Sequence, residues 1–377
     1  MAKNINLAKA KDAKKDEFYT QMADIENELM HYKEQFKGKT VLCNCDDPYE
    51  SNFFKYFALN FNYLGLKKLI TTCYHSSPIA YTQLSLFGED QRVISTKDKK
   101  AYKVEITKVE DLNGDEAFDL DDIELLLKKK GIVKKLKGDG DFRSDECVEL
   151  LKESDIVVTN PPFSLVKEYI PFLIKYDKKF LIIASMQNIK YKEIFPLILE
   201  NKLWPGYSYN KTMEFIMPDS YELKGKAFID SNGKKHGFVP GIVWLTNLDT
   251  TKRHEKIDLF KRYKNHENEY PKYDNFDCIE VKSINLIPLD YSGYMGVPIS
   301  ALDKISPEQF ELIGSSDIPE TLPGVKRLGK EWIDNYRKQG GTGHYTANMK
   351  SVGMSSDGKN KIVFSRLIIK NKNVEGN

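Results

Sequence analysis

Over the first half of this 377-residue chain, short apolar runs alternate with amphipathic segments. Thr40-Val41-Leu42-Cys43-Asn44-Cys45 reads as a strand, and Ser51-Asn52 opens a helix carrying Phe53, Phe54, Tyr56, Phe57 and Leu59. Lys68 to Tyr74, Ser154 to Thr159 and Lys179 to Ala184 repeat the strand pattern. Strands alternating with helices predict an α/β fold, a doubly wound and mainly parallel sheet whose ligand sites lie at the carboxyl ends of its strands. This catalytic region is expected over residues 17–205.

The stretch from about 76 to 137 breaks the rhythm and is expected to be an insertion. Tyr102-Lys103-Val104-Glu105-Ile106 predicts a short strand within it. A helix follows, capped by Asp119, with Asp121, Asp122 and Glu124 early, Lys128-Lys129-Lys130 late and Gly131 at its end. Those charges oppose the helix dipole, so they read as helix stabilisation and not as a binding site. Beyond 205 the chain becomes rich in Gly, Pro, Asn and Tyr, with sheet-like pieces such as Gly241-Ile242-Val243-Trp244-Leu245. Residues 206–377 are expected to form a mixed, loop-rich target-recognition region, since substrate readers are commonly loops on a rigid scaffold. Within it, Gly340 to Lys361 is a polar segment before a last strand-like run, Ile362 to Ile369.

The chemistry points to Thr159-Asn160-Pro161-Pro162-Phe163, placed directly after the buried run Ile156-Val157-Val158. The prolines fix φ and carry no N–H, so the neighbouring carbonyls face outward as acceptors instead of entering a ladder. Asn160 adds a side-chain acceptor and Phe163 a ring face. Such a corner suits a planar amine; a proline-rich turn after a strand is the plainer alternative.

Charge changes the picture only locally. There are 57 Lys and Arg against 55 acids, a formal +2, but residues 1–16 begin with a basic arm holding Lys3, Lys9, Lys11, Lys14 and Lys15. That arm could follow a phosphate backbone or be merely solvated. The five cysteines are an odd count in mostly apolar surroundings and read as reduced thiols. Cys43-Asn44-Cys45 lacks the spacer and second ligand pair of a zinc site, so no metal is expected. No apolar stretch reaches a membrane span and no signal-peptide core follows Met1, so a cytoplasmic protein is expected.

The chain resembles the EcoRI-type family of adenine-specific DNA methyltransferases. The strings that carry the likeness are Asp16 to Gln21, Cys43 to Pro48, Ser51 to Phe57, Gly138 to Ser144 (Gly-Asp-Gly-Asp-Phe-Arg-Ser) and Asp155 to Ser164. Trp244 to Asp249, Tyr270 to Asn275 and Gly296 to Ile299 extend it nearly end to end. The resemblance implies a class I S-adenosylmethionine-dependent fold and methyl transfer from S-adenosylmethionine to the exocyclic N6 of adenine in double-stranded DNA. It assigns Asn160, Pro161, Pro162 and Phe163 to catalysis. The Asn160 side chain and the Pro161 carbonyl would hold the two amino hydrogens, Phe163 would hold one face of a flipped base, and Phe215 is a candidate for the other face, with a core position as the alternative. For the cofactor it implies Phe18, Tyr19 and Thr20 closing over the methionine end, Asp46, Asp47 and Pro48 after the first strand, and Asp141 with Phe142 at the adenine. The chain departs from the wider superfamily here: Asp47 to Phe53 stands where a glycine-rich loop is usual.

Gln83-Leu84-Ser85-Leu86-Phe87 resembles the short peptide by which bacterial replication and repair proteins dock on the sliding clamp; a locally folded loop is the alternative. Two other readings of the whole chain stay open. An RNA or protein-glutamine methyltransferase uses the same Asn-Pro-Pro-aromatic corner, and a non-catalytic DNA-binding relative would keep specificity without chemistry.

Overall fold

The computed structural model describes residues 19–49, 51–73, 101–129, 131–217 and 225–374. Phe18, the basic arm and Gln83, Leu84, Leu86 and Phe87 lie outside the described residues, and of Tyr19 only the backbone is described. The described residues group into two compact units. One draws on Met1–Asn188 and Gly206–Asp249, the other on Ile189–Pro205 and Thr250–Asn377.

The first unit opens with β1 (Tyr19–Thr20) and α1 (Met22–Leu29), followed by β2 (Thr40–Asn44), α2 (Asn52–Leu59) and β3 (Lys68–Cys73). After the break come β4 (Tyr102–Ile106), α3 (Leu120–Lys128), β5 (Val133–Lys135), α4 (Asp145–Glu153), β6 (Ile156–Thr159), α5 (Val166–Lys175) and β7 (Lys179–Ser185). The return segment adds β8 (Met213–Met217), β9 (Phe228–Ile229), β10 (Lys235–Val239) and β11 (Ile242–Thr246).

A sheet runs in the order β5-β4-β3-β2-β6-β7-β11. Its centre is parallel: Leu42 pairs with Ile70 and with Val157, and Val158 with Leu181. Parallel strands are covered on both faces, so they need apolar side chains at consecutive positions and not in alternation. All five residues of β2 and all four of β6 are buried accordingly. The Asp155 amide donates to the Thr40 carbonyl (2.9 Å) and the Thr40 amide donates to the Asp155 carboxylate (2.8 Å). This reciprocal pair fixes the register of β2 against β6 at the amino end, which brings Asn44 and Thr159 level at the carboxyl end.

The sheet is antiparallel at both margins. On one side β4 pairs with β3 and β5 with β4, so the described part of the expected insertion extends the sheet. Its helix α3 is capped as the charge pattern predicts, with Asp119 and Asp122 forming a reciprocal capping box. On the other side β11 lies antiparallel to β7, Trp244 opposite Ile183. The expected boundary at 205 therefore differs from the observed grouping: Gly206–Asp249 packs with the first unit, because the wholly buried run Ile242–Thr246 needs a sheet neighbour and finds it in β7. A smaller sheet, β1-β8-β10-β9, pairs Thr20 with Phe215.

The second unit is built on β12 (Cys278–Glu280), β13 (Tyr294–Pro298), β14 (Phe310–Ser315), α6 (Lys330–Lys338), the hairpin β15 (Gly353–Ser356) and β16 (Lys359–Ile362), and β17 (Arg366–Asn371). Its sheet order is β12-β13-β17-β14. The buried Glu280 accepts from the Tyr273 hydroxyl (2.6 Å) and from two nitrogens of Arg366 (2.9 and 2.7 Å). A Cβ at Gly296 would fall 1.9 Å from that hydroxyl, so glycine is required beside this network. Among the described residues no helix is long and apolar enough to cross a membrane. Cys43, Cys45, Cys73, Cys147 and Cys278 are free thiols, all but Cys45 buried.

Candidate active site

Immediately after β2 the chain turns at Cys45, whose φ is +70°. That left-handed residue redirects Asp46 and Asp47 back under the sheet edge, where both are buried. The Asp46 carboxylate accepts from the Ser51 hydroxyl (2.7 Å) and from the Thr159 hydroxyl (2.5 Å). The Thr159 hydroxyl also lies against the Asn44 carbonyl, and the Tyr169 hydroxyl of α5 donates to the Asn44 side chain. Thr71 of β3 donates to the Asp46 carbonyl (2.6 Å). Three parallel strands and the helix after β6 are thus knotted together at their carboxyl edge by neutral hydroxyls around one carboxylate.

Ser51 serves twice. Its oxygen caps α2, accepting from the Phe53 amide (3.1 Å) and the Phe54 amide (3.4 Å), while its hydrogen goes to Asp46. A conventional N-cap therefore occupies the place where a glycine-rich loop is usual. Asn52 donates from its side chain to the Thr20 carbonyl (2.8 Å), tying β1 to the start of α2.

Asp47 points elsewhere. It accepts from the Tyr49 amide (3.0 Å), the Tyr102 hydroxyl (2.8 Å) and the Cys73 thiol (3.5 Å). Burial pushes its carboxyl above the ordinary value, against the lowering effect of the Tyr49 amide and the Tyr102 hydroxyl. Pro48, between the acids and the cap, is buried.

The Asn160-Pro161-Pro162-Phe163 corner follows Thr159 directly. Asn160 and Phe163 are half-buried, and Phe163 packs on the main core from its edge. The Pro162 carbonyl is used by the Leu165 amide (2.9 Å) to start the turn into α5, whereas no described group donates to the Pro161 carbonyl. Pro161 is itself buried, and with no N–H at either proline the Pro161 carbonyl and the Asn160 side chain remain as the acceptors of the corner.

Three expected residues stand in other surroundings. Asp141 is held by Arg143, which donates from Nε (2.9 Å) and from a terminal nitrogen (2.7 Å); these bonds keep its carboxyl below the ordinary range. Phe142 is a core ring set edge-on against Tyr169 and Phe172 at 5.0 and 5.2 Å. Phe215 is fully buried in the main core, with no face open to a base.

The sequence reading passes over Asn44, Thr159 and Tyr169 as binding groups. Thr159 stands inside the motif string, but its partner Asp46 is 113 positions away and only the strand register reveals it. Thr20 is 4% exposed, and its hydroxyl has no partner among the described residues. A buried hydroxyl without a partner is costly in an isolated fold, and it fits a site that a polar ligand completes. Among the described residues, Asp111, Asp115 and Asp122 bring carboxylate oxygens within 4.8 Å of one another. The Asp122 oxygens are taken by the Leu112, Asn113 and Asp119 amides, consistent with its capping role.

No solved structure matches the chain. The Type II methyltransferase M.EcoRI of Escherichia coli is 51% identical over 314 residues, covering 83% of this chain and 89% of the relative. Type II methyltransferases M.MgeORF184P of Mycoplasma genitalium and M.MpnI of Mycoplasma pneumoniae are 39% and 37% identical, each over 81% of this chain and 84% of its own length. The family model described as adenine-specific methyltransferase EcoRI matches residues 6–372. With that match, and with an Asn-Pro-Pro-Phe corner braced against Asp46, the chain belongs to the EcoRI family of adenine-specific methyltransferases.

Proposed function

We propose that the protein moves a methyl group from S-adenosylmethionine to N6 of an adenine flipped out of duplex DNA, on a sheet of the class I methyltransferase type. The observation that carries this reading is the bracing of Thr159 against Asp46, which sets the amine-holding corner beside the turn after β2.

The exocyclic amine of adenine is a poor nucleophile because its lone pair is shared with the ring. Asn160 and the Pro161 carbonyl would accept its two hydrogens and favour a more pyramidal nitrogen, an effect that grows as positive charge develops there. The lone pair forms the new N–C bond as the methyl's bond to the donor sulfur breaks, the bonding pair staying on sulfur as a neutral thioether, and the surplus amine proton then leaves to water. Phe163, half-buried at the lip of the core, would hold one face of the base. Phe215 is not needed for that role.

On the cofactor side, the orphan Thr20 hydroxyl and the buried Asp46, Asp47 and Pro48 would hold the methionine and ribose portions. Phe18 and Tyr19 belong to the same reading. When bound, S-adenosylmethionine supplies a methyl on a sulfonium that needs no activation by a base. Asp141 would serve the adenine end after exchanging Arg143 for an amine donor, with Phe142 supporting the turn from within the core.

The test is incubation with methyl-labelled S-adenosylmethionine and a mixture of duplex DNA, RNA and protein, followed by nucleoside and amino-acid analysis. Label in N6-methyladenine of DNA is expected; label confined to RNA or glutamine would falsify the substrate assignment, and no label in any acceptor would favour a non-catalytic relative. Asn160→Ala should lower transfer by at least about a hundredfold, the order lost with one charge-stabilising group, while cofactor affinity stays within a few-fold.

A further inference from the structure

Between residues 326 and 372 the chain carries eleven basic and three acidic side chains, in a protein whose overall excess is only +2. The stretch spans α6, the loop after it, the β15-β16 hairpin and β17. Arg366 is used internally on Glu280. By contrast Lys330, Lys338, Lys350, Lys359 and Lys361 are exposed, and none forms an ion pair with a described residue. Cations in excess of the acids around them repel one another and add little to folding.

The scaffold beneath them is rigid. Asn360 of β16 donates from its side chain to the Trp332 carbonyl (3.1 Å), and its amide donates to the Gln339 side chain (2.7 Å). Gln339 in turn donates to the Gly358 carbonyl (3.1 Å), Tyr336 to the Thr342 carbonyl (2.8 Å), and Arg337 to the Tyr345 carbonyl (2.9 Å). Trp332 and Tyr336 stack at 5.8 Å and 17°, and Tyr345 meets Tyr336 edge-on at 6.2 Å. A Cβ at Gly353 would lie 2.7 Å from the Trp332 ring, so glycine is what lets hairpin and helix close together. On α6, Lys338 lies away from the buried Ile333, and Lys330, one turn before Ile333 at the start of the helix, is exposed. Hairpin and helix are therefore one body, and Lys359 and Lys361 project from the hairpin face opposite that of Asn360.

We infer that α6 and the β15-β16 hairpin are a contact surface for the phosphate backbone of duplex DNA, with Lys330, Lys338, Lys359 and Lys361 as its principal cations. The inference rests on the DNA reading above and names the part of the protein that grips the duplex. A nine-residue helix is about 14 Å long, and B-form DNA carries one charge per ~1.7 Å of axis, so several phosphates fall within reach. Lysines give point-charge contacts that position the duplex without reading bases, so the surface sets affinity and register and not sequence.

The experiment replaces these four lysines by glutamine in the full-length protein and measures duplex binding by fluorescence anisotropy across salt concentrations. Each lost phosphate contact removes close to 0.9 from the slope of log K against log salt, so the slope should become shallower by about 2 to 4. Affinity should fall similarly for cognate and unrelated duplexes, with Tm and S-adenosylmethionine binding unchanged. A control replaces Lys33, Lys37 and Lys67, exposed lysines of the first unit. An unaltered slope in the four-lysine variant overturns the inference, as does an equal change in the control. If the unmodified protein binds no duplex but binds RNA, the substrate reading itself fails.

Discussion

Asp46 and Asp141 are two of the three carboxylates that the sequence marks for the cofactor, and the protein treats them oppositely. Asp46 is buried and receives neutral hydroxyls from Ser51 and Thr159. Asp141 is half-buried and paired with an exposed guanidinium. Hydroxyls held by a strand and a helix cap do not depend on ionic strength, and they cannot leave without unpicking the sheet edge. An arginine at the surface is screened by salt and contributes little. The site thus has a permanent floor and an exchangeable rim. Binding at the floor is a matter of shape already built, whereas binding at the rim requires one partner to be replaced by another.

The largest effect should follow from breaking the floor. Thr159→Val keeps the shape but removes the hydroxyl that joins β6 to Asp46, leaving a buried carboxylate short of a donor. A loss of about 2 kcal/mol is expected, read as a lower denaturant midpoint, together with weakened cofactor binding; Thr159→Ser should restore most of both. An unchanged midpoint in the valine variant would mean that Asp46 finds a substitute donor and that the floor is not permanent.

A pH series sharpens the contrast at intermediate size. Burial raises the folded-state carboxyl of Asp47 above its ordinary 3.8, so the folded protein binds more protons than the unfolded chain above that value. Stability should then fall as pH rises through the interval up to the raised value. Asp47→Asn should flatten that part of a Tm profile taken from pH 4 to 8. Glu105 works in the other direction. Burial alone would raise it, but Lys103 and Lys68 together lower it to about 2. Its contribution is present above the ordinary 4.5 and is lost as pH falls towards 2, so Glu105→Gln should make only the acid limb shallower.

The smallest effect belongs to the rim. Arg143→Gln frees Asp141 and should tighten S-adenosylmethionine binding by less than about fivefold, in line with a surface ion pair of up to about 1 kcal/mol. The gain should shrink as salt is added, as measured by calorimetry. Weaker binding, independent of salt, would show that Arg143 holds the cofactor itself and that Asp141 is only its anchor.

Local signals made much of this legible. Continuous apolar runs located the central strands, Asp119 and Gly131 bracketed α3, and the Asn-Pro-Pro-Phe corner stands out because two prolines after a buried strand have few structural uses. What escaped was pairwise and long-range. Thr159 reads as the last residue of a strand, and only its level with Asn44 and Asp46 gives it work. Trp244 reads as sheet, but its neighbour could be named only once β7 was seen to have a free edge. Phe142 and Phe215 look like stacking rings in a string of letters, and packing density alone decides that they are core.

Glu28 is wholly buried and accepts from the Tyr207 amide, the Ser208 amide (both 2.7 Å) and the Tyr32 hydroxyl (2.9 Å). A Cβ on Gly206 would stand 2.5 Å from its carboxylate and 2.4 Å from the Trp244 Cβ. For anyone building libraries or chimaeras from this chain, these three positions form a single allele. A donor fragment supplying 206–249 must arrive with its own α1, because the acid on one piece and the glycine on the other were fitted to each other.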